Sequence, residues 1–184
     1  PKGVMWRQDD IFRKPLSGGN PYGDEPRRDL AEVAAAAKEF PELAFLIAAP
    51  LMHGAALYSL FTFFTLGARL VVMRDFDPVK VVEGIEKEKL QVILIVGDGM
   101  GLPLVDEMER RKGEVDLSSL FSITSGGAIW SLSVRERMLA VKPELLLRDN
   151  FGASETGNDG AFDVDEDGNL RMPPSPNMIL VDEK

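Results

Sequence analysis

The chain has 184 residues, enough for one domain with a buried core, and none of them is cysteine. That excludes a disulfide scaffold, a Cys-ligated zinc site and a thiol nucleophile. The net charge of −9 argues against a duplex nucleic-acid binder with a basic face, and the single histidine, His53, excludes any site with two His ligands.

Residues 1–28 read as irregular, with a dense run of turn formers at 14–23. A helix is expected from Asp29 as N-cap, with Glu32 completing a variant capping box and Leu30, Val33, Ala34 and Ala37 as its apolar face, ending at Pro41. An alternating series follows. Residues 43–49 form an apolar run, hence a buried strand, and 54–66 a buried helix. Residues 69–73 read as a strand, and Asp77-Pro78 opens a helix with Asp as cap and Pro in the first turn. The β-branched run 91–96 is a strand. Residues 101–112 are expected to be helical from Leu102-Pro103 onward, 120–125 a strand, 133–141 a helix opened by a Ser133/Glu136 capping box, and 145–148 the last strand.

Apolar strands alternating with amphipathic helices predict an α/β fold. The expected architecture is an open, mostly parallel sheet of about five strands with helices on both faces. Turn signals at Asp167-Gly168 and Pro173-Pro174, with short strands near 161–164, 169–172 and 178–181, predict a C-terminal β-hairpin-like appendage. Nine acids against Arg171 and Lys184 place most of the negative charge in residues 149–184.

No apolar run has transmembrane length; the longest candidate, 55–66, is interrupted by Ser59, Thr62 and Thr65. The chain opens Pro1-Lys2-Gly3, with neither an initiator Met nor an apolar signal core. We therefore expect a piece of a longer, cytoplasmic protein.

In an open parallel sheet, ligands bind outside the carboxyl ends of the strands. Four segments fall there: Pro50-Leu51-Met52-His53, Gly97-Asp98-Gly99-Met100-Gly101, Ser125-Gly126-Gly127-Ala128, and the run from Asp149 to Gly157. Glycine turns after strands have ordinary structural causes. Four such loops on one edge, two with reactive side chains, point further, to a ligand approaching bare backbone.

Phe151-Gly152-Ala153-Ser154-Glu155 resembles the aromatic-Gly-x-Thr-Glu motif of the adenylate-forming (AMP-binding) superfamily, which includes acyl-CoA synthetases. Ser125-Gly126-Gly127-Ala128 resembles its Ser-Gly-Gly-Ala turn, Pro50-Leu51-Met52-His53 its Pro-Leu-Phe-His segment, and Pro1-Lys2-Gly3-Val4 the tail of its phosphate loop. Met5-Trp6-Arg7-Gln8 is similar to a subgroup acting on fatty acids and steroid side-chain acids. The four motifs stand in the family's order and span almost the whole chain.

The resemblance implies a two-step ligase using ATP, Mg²⁺ and coenzyme A: a carboxylic acid becomes an acyl-adenylate, then a thioester. It implies catalytic roles for His53 beside the reacting carboxylate, for Glu155 as Mg²⁺ ligand and for Lys2 in the phosphate loop. The first step brings a carboxylate to a polyanion, so positive charge must be supplied there, and Mg²⁺ prefers carboxylate oxygen.

For the nucleotide it implies Ser125, Gly126, Gly127 and Ala128 as a flat wall. Asp149 and Asn150 would face the adenine amino group, Phe151 would stack on adenine, Ser154 would reach a phosphate oxygen, and Gly152 and Ala153 would belong to the same cofactor-binding segment. Residues 97–99 would line an acyl tunnel. The implied division is 1–28, phosphate-loop tail and irregular loop; 29–150, parallel α/β subdomain; and 151–184, AMP-binding motif and β appendage, all in the N-terminal domain of a larger enzyme. A piece of this kind is expected to be inactive alone and to self-associate through surfaces the missing parts would cover.

Other patterns weigh less. The Gly97-x-Gly99-x-Gly101 spacing departs from a dinucleotide fingerprint. Asp163-x-Asp165-x-Asp167-Gly168 lacks the twelfth-position acid of a calcium loop, and no nucleophile elbow exists. The alternative to the ligase is a non-enzymatic flavodoxin-like α/β nucleotide-binding or interaction module.

Overall fold

The computed structural model describes residues 3–21, 23–165 and 170–173. In chain order the elements are α1 (Gln8–Arg13), α2 (Leu30–Glu39), β1 (Ala44–Ile47), α3 (Gly54–Thr65), β2 (Arg69–Val72), α4 (Pro78–Lys87) and β3 (Val92–Ile95). They continue with α5 (Gly97–Arg110), β4 (Ser122–Gly126), α6 (Leu132–Val141), β5 (Leu146–Ala153), β6 (Gly157–Ala161), β7 (Asp163–Val164) and β8 (Leu170–Arg171).

The main sheet has the order β2-β1-β3-β4-β5-β6. The first five strands are parallel, and β6 pairs with β5 antiparallel. This is the expected open, mostly parallel α/β sheet, with one antiparallel strand added. Strand β1 and strand β3 are buried along their whole length, and their side chains alternate between two cores. Leu46, Ile93 and Ile95 face Val82 and Ile85 of α4, Leu104 and Met108 of α5, and Met138 of α6. Phe45, Ile47 and Leu94 face the other way, toward Ala56, Leu60 and Phe63 of α3. Helices therefore cover both faces, which is why these strands read as continuous apolar runs.

Local sequence explains several boundaries. The Asp77 carboxylate accepts the N–H groups of Val79 and Lys80 with Pro78 in the first turn, as the sequence predicts. Asp29 likewise accepts from Ala31 and Glu32. Glu32 does not close the box on Asp29. Its carboxylate takes the Arg28 N–H at 2.7 Å and the Arg28 guanidinium, because an adjacent cation outbids a lone amide. Of the apolar face expected on α2, Val33 is buried, Ala37 is half-buried, and Leu30 and Ala34 are exposed.

Four local expectations need correction. The segment 1–28 contains the short helix α1, stabilised by Asp10, whose carboxylate holds the Arg7 N–H and guanidinium. It is too short to show apolar periodicity. Helix α6 starts at Leu132 behind Ser131, with no side-chain cap; the Ser131 N–H is bonded to the Asp98 carboxylate at 2.8 Å instead of sitting in a Ser133/Glu136 box. Helix α5 starts at Gly97, so the glycine-rich run is its first turn, and Pro103 lies inside it. Strand β5 runs on through Ala153, so much of the run after Arg148 is strand, not loop.

The appendage is a β7–β8 antiparallel pair, Asp163 opposite Arg171 and Val164 opposite Leu170. The Asp167-Gly168 turn and the strand expected at 178–181 lie outside the described residues, as does Lys2. Among the described residues, no helix is long and apolar enough to cross a membrane.

Candidate functional site

The carboxyl ends of β1, β3 and β4 lie on one edge of the sheet, and the chain leaves them for opposite faces. After β1 it enters α3 on one face; after β3 it enters α5 on the other. The crevice between such diverging connections is where an open α/β sheet takes its ligands.

His53 is the N-cap residue of α3, in extended conformation. Its N–H is bonded to Pro50 O at 3.1 Å, while its imidazole makes no capping bond and is exposed. Gly126 ends β4. A Cβ placed on it would lie 3.8 Å from the Ala55 Cβ and 3.5 Å from Asn150 O, which puts it against the first turn of α3 and against β5. Gly127 follows with φ +88°, a conformation favouring glycine, and nothing stands within 4 Å of its missing side chain. Gly127 and Ala128 are exposed. They form bare backbone open to solvent.

Five tertiary hydrogen bonds hold this edge together. Ser125 is fully buried, and its Oγ accepts the Gly97 N–H at 2.9 Å. Asn150 Nδ2 donates to Ser125 O at 3.1 Å and to the Thr124 hydroxyl. The Asp98 N–H donates to Ile129 O at 3.1 Å, and Asp98 accepts from Ser131 in return. A Cβ on Gly97, at φ +49°, would meet Ile129 O at 2.5 Å, so the 125–131 segment lies directly on the start of α5. Gly97 and Gly101 are packed in the first turns of α5, whereas Gly99 is exposed with nothing within 4 Å of an added Cβ, and the tunnel role for residues 97–99 stays an expectation.

Asp149 is 3% exposed beneath the rim. Burial pushes its carboxyl above the usual range; the Arg135 charge and the Trp130 N–H oppose this, and the Asp98 charge adds to it. Trp130 is buried and carries the Arg135 guanidinium 5.7 Å from its ring centroid.

Beyond Asn150 the sheet narrows to the β5–β6 hairpin. Ala153 pairs with Gly157, leaving a three-residue turn of Ser154, Glu155 and Thr156, closed by Gly157 at φ +80°. The register shifts between Phe151 and Gly152, a bulge on the β6 side. Phe151 is half-buried, with its ring 4.9 Å from that of Phe162 and Gly160 against it. Gly152, Ala153, Ser154 and Glu155 are exposed.

This hairpin meets α3. The Tyr58 hydroxyl donates to Ser154 O at 2.7 Å, and a Cβ on Gly54 would lie 3.0 Å from the Tyr58 ring. The structure thus brings the His53 end of α3, the Gly126–Gly127 bend and the Ser154–Glu155 turn to one rim.

Tyr58 stands in none of the motifs of the sequence, and the motif that includes Trp6 gives no sign of its contact. Both bond the same carbonyl, from 148 and 96 residues away. No local pattern signals such pairs.

Among the described residues no three His, Asp or Glu side chains cluster as a metal site. Glu155 is a single exposed carboxylate. That donor fits Mg²⁺, which is usually held by one or two carboxylates together with substrate phosphates.

Comparisons with known proteins place the chain among relatives. The chain is 41% identical over 160 residues to the medium-chain acyl-CoA ligase Mig of Mycobacterium avium, covering 85% of this chain and 29% of that protein. It is 34% identical to the 3-oxocholest-4-en-26-oate–CoA ligase of Rhodococcus rhodochrous, covering 87% and 30%. It is also 34% identical to the medium/long-chain-fatty-acid–CoA/3-oxocholest-4-en-26-oate–CoA ligase of Mycobacterium marinum, covering 100% and 34%. The chain therefore spans between 29% and 34% of the length of these relatives. Among solved structures, the o-succinylbenzoate coenzyme A synthetase of Bacillus subtilis in complex with AMP matches in fold, with a TM-score of 0.61 at 19% identity, over 95% of this chain and 36% of that one. The sequence profile of the family described as AMP-binding enzyme matches residues 1–183, and the chain belongs to that family.

Proposed function

We propose that this chain is part of an ATP-dependent acyl-CoA ligase acting on a fatty or steroid side-chain carboxylic acid. The observation that carries the reading is the rim: the His53 turn, the bare Gly127–Ala128 backbone and the exposed Ser154–Glu155 turn meet at the carboxyl edge of a parallel sheet. Identity to acyl-CoA and cholestenoate–CoA ligases along most of the chain supports the reaction type and the acid class. It favours this reading over the flavodoxin-like module.

In the first step a carboxylate oxygen attacks the α-phosphorus of ATP. The bond to the β-phosphate oxygen breaks and pyrophosphate leaves. In the second step the coenzyme A sulfur attacks the acyl carbon, its proton is lost, and AMP leaves with the electron pair. Mg²⁺, when bound, neutralises charge on the phosphates. Glu155 is the residue that would hold it, and Ser154 would reach a phosphate oxygen. Gly126, Gly127 and Ala128 would let the nucleotide lie flat on backbone, since no side chain larger than the Ala128 methyl intervenes. Asp149 and Asn150 would face the adenine amino group and Phe151 its ring. His53 would stand beside the acid's carboxylate, and Lys2 would serve the phosphates.

The test is ligand-induced stabilisation. Saturating MgATP, at about 100 times its Kd, should stabilise the protein by roughly 2.7 kcal/mol, a shift of about 5–10 °C for a chain of this size. Glu155→Gln should reduce the MgATP shift and spare that of AMP. Equal shifts in parent and variant would remove Glu155 from the metal. No shift with any adenine nucleotide, from the whole polypeptide the gene encodes, would sink the reading.

A further inference from the structure

The turn that carries Glu155 is held from outside itself. Its own backbone supplies one long bond, Thr156 N–H to Ala153 O at 3.3 Å. Its first carbonyl is treated differently. Ser154 O accepts the Trp6 indole N–H at 2.8 Å and the Tyr58 hydroxyl at 2.7 Å. A carbonyl oxygen has two lone pairs, and here both are filled, by donors from two separate elements.

The two donors also brace each other. Their ring centroids are 5.4 Å apart and tilted by 59°, a favourable edge-inclined arrangement. The oxygen they hold lies in the rigid peptide plane that joins Ser154 to Glu155. Fixing the oxygen fixes that plane, and so fixes where the Glu155 side chain departs.

The N-terminal segment touches the hairpin twice more. Lys14 lies 3.7 Å from Asp159. The Trp6 and Lys14 side chains cover Gly157, where an added Cβ would sit 3.6 Å from Trp6 and 3.8 Å from Lys14.

We infer that Trp6 and Tyr58 are positioning residues: by sharing the Ser154 carbonyl they orient the Glu155 carboxylate toward the metal-bound phosphates of ATP. The inference rests on the ligase reading above.

Two conservative variants test it in the whole polypeptide the gene encodes. Trp6→Phe and Tyr58→Phe each keep a ring and remove one donor. Each single variant leaves Ser154 O with one partner, so the KM for MgATP in acid-dependent ATP–pyrophosphate exchange should rise by no more than about threefold. The double variant leaves the oxygen without either donor, and its KM for MgATP should rise by tenfold or more, beyond the product of the singles, as coupled residues do. The KM for the acid should stay at the parent value. Amide hydrogen exchange over residues 154–156 should quicken in the double variant, a readout independent of turnover.

A double variant with the parent KM for MgATP, or with parent exchange rates in the turn, overturns the inference. A parent that binds no nucleotide overturns the ligase reading instead; the hydrogen-exchange arm then still decides whether the clamp exists.

Discussion

The hydroxyl of Ser125 accepts the amide N–H of Gly97 at 2.9 Å, and both groups are sealed from solvent. This one bond joins the end of β4 to the first turn of α5. It lets a helix begin on glycine with no cap of its own, because a distant strand supplies the partner that a local side chain normally would.

Ser125→Ala should therefore destabilise the protein. It strands a buried N–H, which costs about 1–3 kcal/mol, or a fall of roughly 2–12 °C in Tm. Calorimetry of parent and variant checks it. A variant as stable as the parent would mean that water or another group satisfies Gly97.

Gly97→Ala should cost more than a surface substitution. The residue sits at φ +49°, and its new methyl would fall 2.5 Å from Ile129 O and 2.9 Å from the Ala128 Cβ. Both neighbours belong to the exposed wall after β4. The expected loss is about 2 kcal/mol or more, from strain and displacement together. Urea melts measure the stability, and AMP titration should show weaker binding as the wall moves.

Asp149 predicts a pH dependence. Burial raises its carboxyl above the usual range despite the Arg135 charge and the Trp130 N–H. The folded protein then binds this proton more tightly than the unfolded chain. Between the ordinary carboxylate value and the raised one, its contribution to stability falls as pH rises. Asp149→Asn should remove that slope and be at least as stable as the parent at pH 7. Urea melts at several mildly acidic pH values test this; an unchanged slope would assign the proton to another group.

Asp116 predicts the opposite sign. Its carboxylate accepts the Ser118 N–H at 2.9 Å and Lys89 Nζ at 3.2 Å. The Ser118 bonds, then Lys89, hold it down at about 2. Its contribution is complete above the ordinary carboxylate value and is lost as pH falls from there toward 2. Asp116→Asn should lower Tm at pH 7, and the difference should shrink as pH falls toward 2, where the folded carboxylate is half protonated. A difference that stays constant between pH 7 and pH 2 would mean that charge is not the cause.

Much of the fold was legible because its causes are local or periodic. The apolar runs at β1 and β3 are continuous since both faces of those strands are buried. Asp77-Pro78 and Asp29 start helices because their carboxylates reach N–H groups two and three residues ahead. The rim was legible in part, because loops after parallel strands must fall on one edge.

The rest depended on partners distant in sequence. The helix expected over 101–112, with Leu102-Pro103 in its first turn, starts instead at Gly97, because Ser125 at the end of β4 and the Ile129 carbonyl after it bind that turn. The cap expected at Ser133 lost to Asp98, which claims the Ser131 amide.

By itself, then, the sequence determined the α/β class, the strand-helix alternation, the rim and the family, since these follow from periodicity, capping and motif order along the chain. Only the tertiary structure decided that the Phe151 motif forms a hairpin, that Asp149 is buried, and that Trp6 and Tyr58 grip the Ser154 carbonyl. Burial and shared hydrogen bonds are set by which segments fold against each other, and neighbouring residues carry no record of that.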